Sequence, residues 1–253
     1  VIQTALQYNP EERYASAAEM KKALMAAAKK TGVFERISIP SVSPDQTIKP
    51  LWVFRCEDEV RGPPNYELGM IYVGSYDNNL YCLDAQTGEF RWKFPTDGGI
   101  VTRPFVYEDL IFIGSEDGHI YAVSAKTGKQ AWSYQVNRPV RSSPWVMDGH
   151  VFFGADDGYL YSVNILSTRR VFRFDAGYAI RSSPALSSEF IYFGTEDGDL
   201  YCIDYHGQMK WRFRARRAIT ATPLVTNGVV YVPSIDANLY SLDAKSGWVL
   251  WRF

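Results

Sequence analysis

The chain has 253 residues, with 27 Lys+Arg against 28 Asp+Glu, so its charge nearly cancels. That balance excludes a globally polybasic or polyacidic surface. Apolar residues make up 46% and aromatics 15%, a composition that folds and that leans toward strands. Three scattered cysteines, Cys56, Cys82 and Cys202, make neither a disulfide framework nor a zinc site, and a reducing compartment is expected. No stretch reads as a signal peptide or a membrane span.

Residues 1–32 predict a short α-helical segment. Asn9-Pro10 separates two pieces, and Ser16 followed by Glu19 is a capping-box pattern. Ala17 to Lys30 is rich in strong helix formers, with Met20, Ala23, Leu24 and Ala27 on one face. Gly32 can end the helix. Such a segment cannot make a core alone.

The string Ala5-Leu6-Gln7-Tyr8-Asn9-Pro10-Glu11-Glu12-Arg13-Tyr14-Ala15-Ser16, then Glu19-Met20, resembles the final segment of protein Ser/Thr kinase domains. The resemblance implies a helical remnant of a kinase C-lobe, with Arg13 as the structural arginine that pairs with a buried glutamate of the missing part. It also implies a kinase domain in cis and a cytoplasmic location. No Gly-rich phosphate loop, His-Arg-Asp or Asp-Phe-Gly string occurs in the chain, so no catalytic residue is expected in it.

Residues 33–50 read as a Pro- and Ser-containing linker. From residue 51 a repeat takes over. Aromatic anchors recur at Trp52, Trp92, Trp132, Phe172, Trp211 and Trp251, prolines at Pro64, Pro104, Pro144, Pro184 and Pro223, and tyrosines at Tyr81, Tyr121, Tyr161, Tyr201 and Tyr240. Each unit reads as four short strands, with turn pairs at Asp77-Asn78, Asp117-Gly118, Asp157-Gly158 and Asp197-Gly198. Four strands in about 40 residues is the spacing of a propeller blade. The recurrent indoles are then wedges between blades. Leu51-Trp52-Val53-Phe54 reads as one extra fourth strand, which makes a parent of roughly six to eight blades the simpler expectation.

Leu83-Asp84-Ala85-Gln86-Thr87-Gly88 to Trp92, Ser124-Ala125-Lys126-Thr127-Gly128 to Trp132, and Asp243-Ala244-Lys245-Ser246-Gly247 to Trp251 resemble the repeat of pyrroloquinoline-quinone-type propellers. The resemblance covers residues 51–253 and implies a mainly β, PQQ-like or WD40-like propeller with five complete four-stranded repeats. The third copy departs, with Asn164, Thr168 and Phe172 where Asp, Gly and Trp are expected, and looser packing follows at its outer turn. Members of that family include quinone-dependent dehydrogenases and outer-membrane-assembly lipoproteins, which stand as the two alternative functions.

The dehydrogenases use adjacent cysteines and a calcium site. No Cys-Cys pair occurs, the turn aspartates are explained by their turns, and Glu116, Asp156 and Glu196 read as solvated charges. His119, His150 and His206 lack metal spacing, and Ser142-Ser143 and Ser182-Ser183 lack a histidine partner at a recurring offset. No cofactor and no metal are therefore expected. Counting back from the repeated prolines places Arg61, Arg141 and Arg181 just before the first strand of their units, with Arg103 two residues out of register. These four make a candidate channel-mouth site for a small anionic ligand or protein partner, against the alternative that each pairs locally with a carboxylate. Lys210, Arg212 and Arg214 share one face of an outer strand, near Arg169, Arg170 and Arg173, but no recognition motif accompanies them and nucleic acid is not an expected partner. The reading is a sensor or docking propeller of a Ser/Thr protein kinase.

Overall fold

The computed structural model describes residues 49–253, together with Glu19, Lys22 and Ala26. Those three are helical and exposed, in a unit (Val1–Pro50) separate from the rest. Arg13, the other residues of 1–32 and the linker up to residue 48 lie outside the described residues.

Leu51–Phe253 is built from five four-stranded antiparallel sheets, each made of consecutive strands in sequence order. The first holds β1 (Asn65–Glu67), β2 (Met70–Gly74), β3 (Asn79–Asp84) and β4 (Phe90–Pro95). The second holds β5 (Phe105–Tyr107), β6 (Leu110–Gly114), β7 (His119–Ser124) and β8 (Gln130–Gln135). The third holds β9 (Trp145–Met147), β10 (His150–Gly154), β11 (Tyr159–Asn164) and β12 (Arg170–Asp175). The fourth holds β13 (Ala185–Leu186), β14 (Phe190–Gly194), β15 (Asp199–Asp204) and β16 (Met209–Arg214). The fifth holds β17 (Leu224–Thr226), β18 (Val229–Pro233), β19 (Leu239–Asp243) and β20 (Val249–Arg252). The first strands of neighbouring sheets adjoin, β1 with β5, β5 with β9 and β13 with β17, so they form the axial side. This is the blade arrangement of a β-propeller.

The middle strands of the second, third and fourth blades are almost wholly apolar and buried, because each of these blades is covered on both faces, whereas β18 of the fifth blade is only partly buried. The outer strands alternate and leave their polar face in water. Leu51–Phe54 differs from expectation. It is no strand, since no described strand lies beside it to complete a ladder.

One motif joins blade to blade. In the fourth strand each large aromatic stands opposite a small residue, Cys82 for Trp92, Ala122 for Trp132, Ser162 for Phe172, Cys202 for Trp211 and Ser241 for Trp251. An aromatic of the second strand packs beside it, as Tyr72 does on Trp92 with ring centroids 6.0 Å apart. The aromatic ring then lies on the outer-turn glycine of the next blade: Trp52 on Gly88, Trp92 on Gly128, Trp211 on Gly247, and Phe172 on Gly207. A Cβ at Gly128 would come within 2.6 Å of the Trp92 ring, and φ there is +67°. Glycine is required on both counts. The indole N–H of Trp52, Trp92 and Trp211 donates to the carbonyl of Ala85, Ala125 and Ala244 of that next turn.

A second seam runs parallel to the first. The third-strand tyrosine packs on an aromatic two residues beyond the anchor of the previous blade, as Tyr121 does on Phe94 at 5.4 Å and Tyr240 on Phe213 at 5.0 Å. The hydroxyls of Tyr81, Tyr121, Tyr161 and Tyr240 donate to the turn carboxylates of Asp77, Asp117, Asp157 and Asp236 at 2.6–2.8 Å.

The third blade carries Thr168 in the glycine position, at φ +54°. A β-branched residue there is strained by about 1–3 kcal/mol. Thr168→Gly is therefore expected to stabilise the chain by about 1 kcal/mol after the added chain entropy of glycine, raising Tm by about 2–4 °C in a thermal melt. The outer turns also set an acid limit. Arg91 and the turn N–H groups hold the Asp84 carboxyl at about 2, and Lys210 does the same for Asp204, also at about 2. The unfolded chain takes up those protons first, near pH 4, so this stabilisation is present above pH 4 and lost as pH falls toward 2. Melts from pH 5 to 2 are expected to show Tm falling through that window, with a shallower slope in an Arg91→Ala, Lys210→Ala double variant.

Candidate functional site

Two polar features face the axial side and the loops that lead into it. The first is a chain of charges. Arg141 Nε donates to Glu116 Oε1 at 2.7 Å, and its Nη1 pairs with Asp156. Arg181 takes the other side of Asp156 through Nε and Nη2 at 3.1 and 3.2 Å, and reaches Glu196 Oε1 at 3.3 Å. Each arginine therefore bridges the carboxylate of the preceding blade and that of its own. Glu116–Arg141–Asp156–Arg181–Glu196 runs unbroken across the second, third and fourth blades, three carboxylates against two guanidiniums. The reading of Glu116, Asp156 and Glu196 as solvated charges is corrected: the guanidiniums need anions where two blades meet, and these supply them. Arg61 is paired too, with Glu59 at 2.7 Å, and stacks over the Tyr76 ring at 4.7 Å.

The four arginines do not act as one set. Three are neutralised by carboxylates, and Arg103 lines a different feature. That feature is an open cleft of about 520 Å³ on the axial side, walled by β1, β5, β9 and the segments that precede them. The residue just before each repeated proline lies on its wall: Pro63, Arg103, Ser143, Ser183 and Thr222. These positions are linked across blades. The Arg103 N–H donates to Ser143 Oγ at 2.8 Å, and the Ser143 N–H to Ser183 Oγ at 3.0 Å. The preceding hydroxyls are buried on backbone: Thr102 on Gly114, Ser142 on Gly154, Ser182 on Ala221. The paired serines of the repeat are thus spent on the backbone and on the seam. The Arg103 guanidinium reaches Asn65 Oδ1 at 3.1 Å, and among the described residues no carboxylate lies within ion-pair distance of it. Beside it Phe105 and Trp145 pack with ring centroids 5.1 Å apart, and Trp145 is 41% exposed. Sequence reasoning placed Arg103 out of register by counting three residues back from the proline. Counting one back finds the whole wall.

The basic outer strand is also neutralised. Asp199, fully buried, accepts Arg212 through two bonds of 2.7 Å and Arg214 at 2.8 Å, while Arg214 also reaches Asp197 and Lys210 pairs with Asp204. Burial pushes the Cys82 thiol up to about 11 and Cys202 to about 12, so neither is an available thiolate. Among the described residues no group of three His, Cys, Asp or Glu side chains is placed to hold a metal ion. None of their helices is long and apolar enough to cross a membrane.

The family model described as Outer membrane protein assembly factor BamB matches residues 41–171, 109–188 and 156–253. The chain belongs to this family. Its fold is similar to that of BamB from Moraxella catarrhalis, with a TM-score of 0.72 and 20% identity over 80% of this chain and 66% of that one. It is also similar to the computationally designed Ika8 protein, with a TM-score of 0.68 and 16% identity over 75% of this chain and 60% of the other. A 44-residue stretch is 41% identical to the Danio rerio beta-alanine-activating enzyme, covering 17% of this chain and 4% of that protein. This BamB-family propeller therefore spans less than two thirds of either solved structure.

Asp156 is the keystone of the charge chain. Asp156→Asn is expected to lower stability by about 1–2 kcal/mol, a figure kept small because both arginines are partly in water. In an Arg141→Met, Arg181→Met background the same change is expected to cost under about 0.5 kcal/mol. A double-mutant cycle by urea unfolding checks the coupling.

Proposed function

We propose that this chain is the docking propeller of a cytoplasmic Ser/Thr protein kinase, joined in cis to the kinase domain through residues 33–50 and binding a protein partner at its axial face. The observation that carries the docking role is the cleft. The other polar clusters described are absorbed in holding blades together, whereas Arg103 and Trp145 are presented to solvent in a concave site. The kinase half of the reading rests on the resemblance of residues 5–20, with Arg13 as its structural arginine.

A second reading is favoured by the family match: a scaffold for outer-membrane assembly, as the family's name describes. The two differ in what precedes Val1 in the gene. The kinase reading expects His-Arg-Asp and Asp-Phe-Gly strings upstream, and a lipoprotein signal there would replace it with the scaffold. In solution, residues 1–253 alone are expected to transfer no phosphate from Mg-ATP to themselves or to a generic protein substrate. The longer protein with the upstream segment is expected to do so, and deleting the propeller is expected to change its response to partner. Radiolabel incorporation by the two proteins checks both points.

A further inference from the structure

The residue before the repeated proline sits at the cleft wall in all five blades. It is Ser or Thr in three of them and Pro in the first. Only the second blade places a long cation there. The Arg103 backbone makes the same seam bond as its serine counterpart, N–H to the hydroxyl of the next blade. The guanidinium takes no part in that bond and reaches back to the first blade instead. It is anchored by one amide oxygen, Asn65 Oδ1, and keeps other N–H groups for a ligand. Contrast Arg141 and Arg181, whose donors are consumed by Glu116, Asp156 and Glu196.

The neighbours define the rest of the ligand. Trp145 and Phe105 offer a partly exposed aromatic wall. Glu67 also lines the cleft and is not paired with Arg103, so a second anionic group on the ligand is repelled. β1, β5 and β9 are edge strands whose axial edges carry no strand partner in their sheets. An extended backbone can hydrogen-bond to such an edge.

We infer that the axial cleft recognises an extended peptide segment carrying a single carboxylate beside an aromatic or aliphatic side chain. Arg103 takes the carboxylate, and Trp145 with Phe105 takes the apolar group. This rests on the docking role proposed above and names its chemistry.

Calorimetric titration of the 253-residue chain with acetyl-Ala-Asp-Phe-Ala-amide tests it, against the Asn counterpart and against acetylphenylalanine. The Asp peptide is expected to bind at least tenfold tighter than the Asn peptide, and tighter than acetylphenylalanine. Arg103→Ser, which installs the residue of the third and fourth blades and leaves the backbone seam bond in place, is expected to erase the Asp/Asn difference. Trp145→Ala is expected to weaken both peptides about tenfold while preserving their ratio. Equal affinity for the Asp and Asn peptides, undiminished discrimination in Arg103→Ser, or no binding of either peptide at millimolar concentration would overturn the assignment. Acetylphenylalanine binding as tightly as the peptide would overturn the peptide in favour of a free small carboxylate. A protein partner that binds Arg103→Ser and Trp145→Ala as well as the parent chain leaves docking intact and removes the cleft from it. Binding of the Asp peptide without any protein partner does the reverse.

Discussion

An indole lying on a glycine is the contact on which the rest depends. A single four-stranded sheet has two apolar faces and cannot bury either by itself. The fourth strand of each blade solves this by presenting a Trp, or Phe172 in the third blade, where a small residue opposite leaves room and an aromatic behind limits its motion. The next blade receives it on a turn with no Cβ, at a positive φ that only glycine holds without strain. The N–H of the indole donates to a carbonyl of the same turn. Truncating a wedge of this kind removes about 3–5 kcal/mol, and because blades contact only their neighbours, the loss stays at one seam.

Two consecutive seams lack part of this contact, and there the charge chain appears. Between the second and third blades, Ile165 and Thr168 replace Ala and Gly, and the Trp132 indole N–H is buried without a hydrogen-bond partner among the described residues. That costs about 1–3 kcal/mol. Between the third and fourth, Phe172 has no N–H to donate, and Tyr205, at the Ala position, packs on Phe152 instead. Arg141 crosses the first of these seams and Arg181 the second. The ion pairs therefore stand where the tryptophan bond is missing, at the opposite end of the same blade edges. Partly buried pairs of this geometry offset the deficit in part.

Much of this was legible in the residues. The period, the strand count, the anchors and the turn aspartates all follow from spacing, because a propeller repeats its local chemistry blade after blade. The two-residue turns at Asp148-Gly149 and Asn227-Gly228 hold a positive-φ pair and are harder to read, since they join strands of only three residues to strands of five. The pairing of Glu116, Asp156 and Glu196 was not legible. They lie 25 and 15 residues from their arginines, and only the stacking of blades brings them together. Asp199 was hidden for the same reason: it looks like one more turn residue until Arg212 and Arg214 close over it from the next strand.

The division between architecture and recognition follows from which polar groups the seams consume. The hydroxyls of Thr102, Ser142, Ser143, Ser182 and Ser183, the repeated tyrosines and the turn aspartates each satisfy a backbone group or a neighbour within the propeller, and so does every member of the charge chain. The thiols are held protonated by burial. A site for chemistry needs an acid, base or nucleophile that the fold has not already used, and on the cleft wall the described blades offer the Glu67 carboxylate and the Thr222 hydroxyl. Arg103 and Trp145 differ from their counterparts in the other blades; each makes a contact across a seam, Arg103 with Asn65 and Trp145 with Phe105, and each keeps part of its surface in water. In a molecule made of near-identical parts, side chains that depart from the repeat on the wall of a concave site are the ones that the repeating architecture alone does not account for.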